Sequence, residues 1–419
     1  MKSSPFRLQF LVVFLGNLFE HYDLALYSLL APFFAALFFP KESYLSSLIS
    51  TYAIIPIAMI SRPLGALVFG YIGDYYGRRT ALSLSLFGLA ITSFFLACAP
   101  TFQQIGILAP LYLTVGRLFQ NFFGIGESLG GGIYLLEQSS KKDQDLMSGL
   151  YGSSTVGGFL LASFAVSLLC YFQLLENYWR MLYVLGGITS LFALLIRRKL
   201  FHQLKKNSSK ISFSFWDNLL HLWQNRAIVF SIALISGFSF ANASITFVFF
   251  NGFIPLVSLV SKEQMVYLNS ILLLLDFALL PLFGFLARRI SRQKMMLFAA
   301  LSIALSACPL FYLLKEASLI TVVVIRSIIV FFCICFTAPF HSWAQQLVPC
   351  ASRYTLISFG YAIGSQLLGG MAAPFSLWIY QQTQSLWFSA IYWALLASVV
   401  SFFLLLRPSP FGIRKNLKL

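Results

Sequence analysis

Twelve long apolar stretches alternate with short polar ones along the chain, near 10–38, 47–71, 80–99, 104–137, 146–172, 178–197, 227–251, 264–287, 295–314, 317–340, 353–377 and 385–406. Each stays apolar over about 20 residues or more, the length a helix needs to cross the hydrocarbon core of a bilayer. None has the short alternating rhythm of a membrane β-barrel strand, so the backbone hydrogen bonds have to close within helices. The one substantial polar interruption is Arg197–Arg226, with six stretches before it and six after. The pattern predicts an all-α integral membrane protein of twelve transmembrane helices. These form two six-helix halves, 1–197 and 227–419, joined by a linker at 198–226. The first stretch lacks a small-residue cleavage pattern and is too long for a signal-peptide core, so it is expected to remain as the first helix.

Composition agrees: 59% of residues are hydrophobic, 10% are charged, and the mean hydropathy is +0.82. A water-soluble domain could not cover that much apolar surface with so few charges. The net charge of +16 raises the question of nucleic acid, but the placement of the charges answers it. If the N-terminus is inside, 22 of the 29 Lys and Arg fall in cytoplasmic segments, among them the seven from Arg197 to Arg226. Only Lys41, Arg180, Lys262 and Lys315 fall outside. That asymmetry is the positive-inside rule; it predicts a multi-pass protein of the cell (inner) membrane with both termini cytoplasmic. Lipid is then the expected surrounding partner, no nucleic acid is expected, and a monomer is the default. Six cysteines without C-x-x-C spacing, and no His/Asp cluster or nucleophile elbow, argue against metal, cofactor and enzyme chemistry.

Charged residues inside apolar stretches are costly and therefore informative. In the first stretch Glu20 and Asp23 share a helical face with Tyr27 a turn further on, and Gly16 and Asn17 precede them. Two carboxylates so close suit proton coupling, unless an arginine such as Arg62 holds them ionised. In the fourth stretch Arg117, Gln120, Gly124 and Glu127 also line one face. Arg117 and Glu127 lie about 15 Å apart along the axis, too far to pair with each other. Arg117 is therefore a candidate for a substrate carboxylate, or else an ion-pair partner of Glu20 or Asp23. In the second half Asp276 and Arg326 either pair or face a cavity. Taken together, the pattern assigns proton coupling to Glu20, Asp23 and Glu127. Substrate contact is assigned to Arg117, Arg326, Tyr27, Gln120 and Asn17. Phe33, Phe34, Phe38 and Phe39 are expected to face lipid.

Between the second and third stretches stands Arg62-Pro63-Leu64-Gly65, then GYIGDYYGRR at Gly70–Arg79. Its counterpart between the eighth and ninth, GFLARRISRQK at Gly284–Lys294, keeps the glycine and terminal basic residues but has Arg288 where the first has Asp74. The repeat points to a duplicated half with a rebuilt second loop. Arg62, Asp74, Arg78, Arg79 and Glu137 are assigned to a gate at the cytoplasmic face.

These residues resemble the metabolite:proton symporter family of the major facilitator superfamily, which includes proline/betaine and α-ketoglutarate permeases. The resemblance rests on Gly16, Asn17, Glu20 and Asp23; on Arg62 to Gly65; on Gly70, Gly73, Asp74, Gly77, Arg78 and Arg79; and on Arg117, Gln120, Gly124, Gly126 and Glu127. It is strong over about 10–200 and thin afterwards. His21 departs from it by standing where the family commonly has an aromatic, as does Tyr75 in place of a basic residue. The resemblance implies a major facilitator fold and alternating access, with Asp74 and Arg78 latching the cytoplasmic face. It further implies proton-coupled uptake of a small organic acid or an amino-acid-like zwitterion, the proton being the coupling ion and no other cofactor being required. The alternative is an efflux antiporter, for which a Gly-Pro-rich fifth stretch would be expected; GLYGSSTVGG at Gly149–Gly158 has no proline.

Overall fold

The computed structural model describes residues 4–40, 43–203, 215–348 and 353–406, and every regular element among them is helical. The crossings are Gln9–Phe38 (α1), Tyr44–Tyr71 (α2), Arg78–Ala97 (α3), Leu108–Gln138 (α4), Gln144–Tyr171 (α5) and Leu175–Arg198 (α6), then Arg226–Val257 (α7), Lys262–Ile290 (α8), Arg292–Tyr312 (α9), Leu319–Leu347 (α10), Arg353–Thr383 (α11) and Ile391–Leu406 (α12). Ten of these are long and apolar enough to cross a bilayer by themselves. Of the other two, α4 is laced with polar residues that its neighbours must cover, and α12 is apolar but short. Residues 204–214 of the expected linker lie outside the described set; helix continues to Gln203 before them and resumes at Phe215–Gln224 after them.

The breaks within helices have local causes. In α2, Pro63 has no N–H to give Met59 O and the helix steps at Ile60. In α7 and α11 the turns Ser244–Phe249 and Ser365–Gly369 widen to π-helical geometry. Such a turn inserts one residue and redirects the side chains around it, commonly where a helix lines a site. Pro32 sits inside a continuous α1.

The halves meet along two helix pairs, α5 against α8 and α2 against α11. A shift of six helices turns one pair into the other, as a duplicated half requires. The α5–α8 crossing depends on glycine: a Cβ on Gly149 would lie 2.5 Å from Leu280 O and 3.1 Å from Gly284 Cα. Only side chains that small let two backbones approach so closely. One expectation needs correcting. Phe34 and Phe38 do not face lipid; both are fully buried, edge-on to Trp179 at 5.0 and 5.9 Å. They follow the four-residue repeat of α1 that turns inward, so the indole of α6 takes the place of acyl chains.

Candidate functional site

Asn17, Glu20, Asp23 and Tyr27 recur at three- and four-residue spacing along α1 and all have 0% exposure. Their partners come from the surrounding helices α2 to α5. Asn17 Nδ2 donates to Ser154 Oγ (2.7 Å) and Thr155 Oγ1 (2.9 Å) of α5, while Tyr151 Oη donates to Asn17 Oδ1 at 2.9 Å. Glu20 accepts from the Ser128 hydroxyl of α4. Asp23 accepts from Ser93 of α3 and from the Gln120 amide of α4. Arg117 donates in turn to Gln120 Oε1 and to Leu24 O at 3.3 Å, with its guanidinium 4.8 Å from the Tyr27 ring centre. Arg117 and Asp23 are thus joined through Gln120 instead of as an ion pair. Glu20 Oε2 and Asp23 Oδ1 are buried without a hydrogen-bond partner.

Glu127 sits differently. Its two carboxylate oxygens accept from both terminal nitrogens of Arg197 at 2.6 Å, with both side chains at 0% exposure. Arg197 therefore does not belong with the basic loop charges among which it was counted. It is the last inward-facing residue of α6, and its side chain reaches back into the half-bundle to Leu82 O at 3.1 Å.

In the second half Arg326 donates to Thr246 O (2.6 Å) and to Asn269 Oδ1. Asp276 lies two turns along α8 from Asn269 and makes no ion pair with Arg326 or with any other described residue. Arg62 stands 12 residues from the loop it was grouped with, about 18 Å along a helix. Its Nε donates to Asn121 Oδ1 (2.8 Å) and its Nη1 to Ser365 Oγ (3.4 Å), and the guanidinium lies 5.3 Å from the Phe240 ring centre.

Of the residues assigned to the gate, Arg78 and Glu137 meet at one end. Glu137 lies 3.7 Å from Arg78 and 3.4 Å from Arg353 of the other half, and Arg78 stacks 5.0 Å from the Tyr354 ring. Arg79 is half-buried beside it, while the Asp74 side chain lies outside the described residues. Sequence reasoning missed the second cluster at this end. Asp145, in the first turn of α5, accepts from Arg292 at the start of α9 and from Ser342 Oγ (2.6 Å) of α10. The loop repeat aligns Arg292 with Arg78 and was the available signal. At the opposite end Tyr52 Oη donates to Val248 O (2.9 Å) and Gln366 Nε2 to Pro56 O (2.7 Å). The halves therefore touch at both ends.

Between the two ends lies a cavity of about 160 Å³, lined from the first half by His21, Ser128, Thr155 and Phe159 and from the second by Phe240, Ser244, Phe247, Asp276, Thr337 and His341, among others. Helices from both halves contribute, and the widened turn of α7 supplies Ser244 and Phe247. Arg117, Gln120, Asn17, Tyr27 and Arg326 are not among its lining residues.

The model of the Major Facilitator Superfamily matches residues 13–349. The chain belongs to that superfamily. Relatives include a putative proline/betaine transporter of Staphylococcus aureus (strain COL), 26% identical, with the match covering 88% of this chain and 81% of the relative. An alpha-ketoglutarate permease of Escherichia coli (strain K12) is 27% identical, with 85% and 83% covered. Among solved structures a D-xylose-proton symporter superposes with a TM-score of 0.69 at 16% identity over 94% of this chain and 96% of its own. Superfamily membership makes this chain a multi-pass membrane transporter, not an enzyme.

Within this superfamily fold, the residues chosen from sequence separate into three groups. The α1–α4 network and the Glu127–Arg197 pair lie inside the first half. Arg326 lies inside the second half. Arg62, Arg78 and Glu137 lie where the halves meet. His21 and His341 both line the cavity, with His21 Nδ1 2.9 Å from Asn17 O.

Proposed function

We propose that this protein performs proton-coupled symport of a small carboxylate-bearing solute, an organic acid or a zwitterion, by alternating access across the cell (inner) membrane. Both termini, and the loop turns before α3 and α9, are cytoplasmic in this reading, as the basic-residue asymmetry requires. The observation that carries it is the pair Glu20 and Asp23. Each is fully buried in α1, each has one carboxylate oxygen held by hydrogen bonds, and each has one buried oxygen without a hydrogen-bond partner, that of Glu20 lying 3.8 Å from His21 Nδ1. A carboxyl arranged in that way has an atom free to carry a proton while the rest of the group stays anchored. Glu127, saturated by Arg197, has none. Arg62 supports an acidic solute: it makes no ion pair among the described residues and stands against Phe240 on the cavity wall.

A cavity of about 160 Å³ is below the roughly 300–1,000 Å³ of drug-sized pockets, which favours a small metabolite over efflux of bulky compounds. The test is uptake of labelled organic acids, proline and betaine into proteoliposomes with and without an inward proton gradient. Accumulation should require the gradient, and uptake that ignores it would overturn symport. Asp23→Asn should lose accumulation while retaining solute exchange; undiminished accumulation would remove Asp23 from coupling.

A further inference from the structure

Asp276 is the carboxylate on the cavity wall. It is 7% exposed, and no described residue offers it a hydrogen bond or a positive charge. Every other buried acid in the membrane-spanning region has a protein partner: Ser128 for Glu20, Ser93 and Gln120 for Asp23, Arg197 for Glu127. The cavity that Asp276 lines has Phe159, Phe240, Phe247, Phe340 and Tyr361 on its walls. No lysine or arginine lines it among the described residues.

We propose that Asp276 is the counter-ion for a positively charged nitrogen on the transported solute, and that this cavity therefore selects zwitterions of the secondary or quaternary ammonium type over organic acids. The proposal rests on the symport reading above and narrows its substrate class. A buried carboxylate is either neutralised by a proton or paired with a counter-charge, and a counter-charge can reach Asp276 from the cavity it lines. An alkylammonium suits what surrounds it: the cationic nitrogen pairs with the carboxylate, and the carbon substituents pack on ring faces, whose quadrupole also attracts the cation. A dicarboxylate would instead bring its second negative charge toward Asp276 in a region of low dielectric, which repels it. The carboxylate end of the zwitterion has the hydroxyls of Ser239, Ser244 and Thr337 on the cavity wall.

The test is binding to the purified protein in lipid nanodiscs, at one neutral pH. The panel is glycine betaine and L-proline, their nitrogen-free isosteres 3,3-dimethylbutanoate and cyclopentanecarboxylate, and 2-oxoglutarate. Wild type should bind glycine betaine or L-proline roughly 30-fold or more tightly than the matching isostere, the loss expected when one partner of a buried charge pair is missing. Asp276→Asn should close that gap, and Asp276→Glu should preserve it. Equal binding of isostere and parent by wild type, or an unchanged preference in Asp276→Asn, would overturn the proposal. So would 2-oxoglutarate as the tightest ligand, an outcome that leaves symport of a carboxylate solute standing. If neither glycine betaine nor L-proline binds, the proposal fails, while the symport reading stands or falls with the proteoliposome assay. Should Asp276 serve only as a proton carrier, Asp276→Asn would keep the preference and lose gradient-driven accumulation, which also counts against the counter-ion role.

Discussion

Removing one member of the Glu127–Arg197 pair should destabilise the protein far more than removing both. The two side chains have no exposure, and both oxygens meet both terminal nitrogens at 2.6 Å. Two unit charges about 4 Å apart attract by roughly 4 kcal/mol at an effective dielectric of about 20. That attraction is needed to offset the desolvation of both groups, so Glu127→Leu or Arg197→Met alone strands a buried charge and should cost about 3–5 kcal/mol. Replacing both with apolar side chains of similar volume removes the desolvation as well, and such replacements range from neutral to stabilising by about 1–4 kcal/mol. Gly16 is part of the same construction: a Cβ there would come within 2.6 Å of Glu127 Oε1, so Gly16→Ala should mimic the single variants in part.

The assay is SDS unfolding titration in mixed micelles, with proteoliposome transport measured in parallel. Single variants within about 1 kcal/mol of wild type would mean the site is wetter and less demanding than a buried pair allows. A double variant no better than the worse single would refute the compensation argument. The transport arm decides a separate question. A double variant that is stable and still accumulates solute assigns Glu127 to structure. One that is stable but cannot accumulate restores Glu127 to proton coupling, the role sequence reasoning gave it.

Other outcomes are expected. Ser291 adopts φ 92°, at the position where the first loop has Gly77 at φ 98°. Because a side chain in that region costs about 1–3 kcal/mol, Ser291→Gly should raise the unfolding midpoint and Gly77→Ala should lower it; a neutral Ser291→Gly would speak against the strain. Asp145→Asn should free Arg292 and loosen that end by about 1.5–3 kcal/mol, the worth of hydrogen bonds to a charged group. The readout is maleimide labelling of Gly152→Cys, a cavity position whose added Cβ meets only Leu280 methyls at 3.8 Å. Labelling at the wild-type rate would exclude a latch at Asp145.

How much of this could be read from the chain depends on how local each cause is. Hydropathy fixes the crossings because lipid acts on each helix separately, and the α1 face of Asn17, Glu20, Asp23 and Tyr27 follows from helical periodicity alone. The cross-helix partners do not follow. Nothing in one dimension says that Gln120 stands between Arg117 and Asp23. Nor does it say that Arg197, at the edge of a basic linker, turns inward to meet Glu127, 70 positions earlier. Phe34 and Phe38 were misplaced for the same reason: an aromatic on a membrane helix is equally at home against lipid or against an indole such as Trp179. Asp276 was visible as an isolated charge, but its lack of a partner appears only when the second half is folded around it.

The two loop turns show what the duplication kept and what it altered. Both place a positive-φ residue directly before a helix that opens with arginine, Gly77 before Arg78 and Ser291 before Arg292. The backbone device is therefore common to the halves while the charges are not. Arg288 replaces the acid that the first loop has in Asp74, yet Arg292 still has a carboxylate partner, because Asp145 reaches it from α5 of the other half. The second cross-half pair has the same polarity, with Glu137 from the first half and Arg353 from the second. Both cross-half pairs put the acid on the first half and the cation on the second, so they attract across this end, while Glu137 keeps Arg78 of its own half 3.7 Å away. Such an interface opens by separating the halves as bodies, which is the motion that would expose the cavity holding His21, Asp276 and His341.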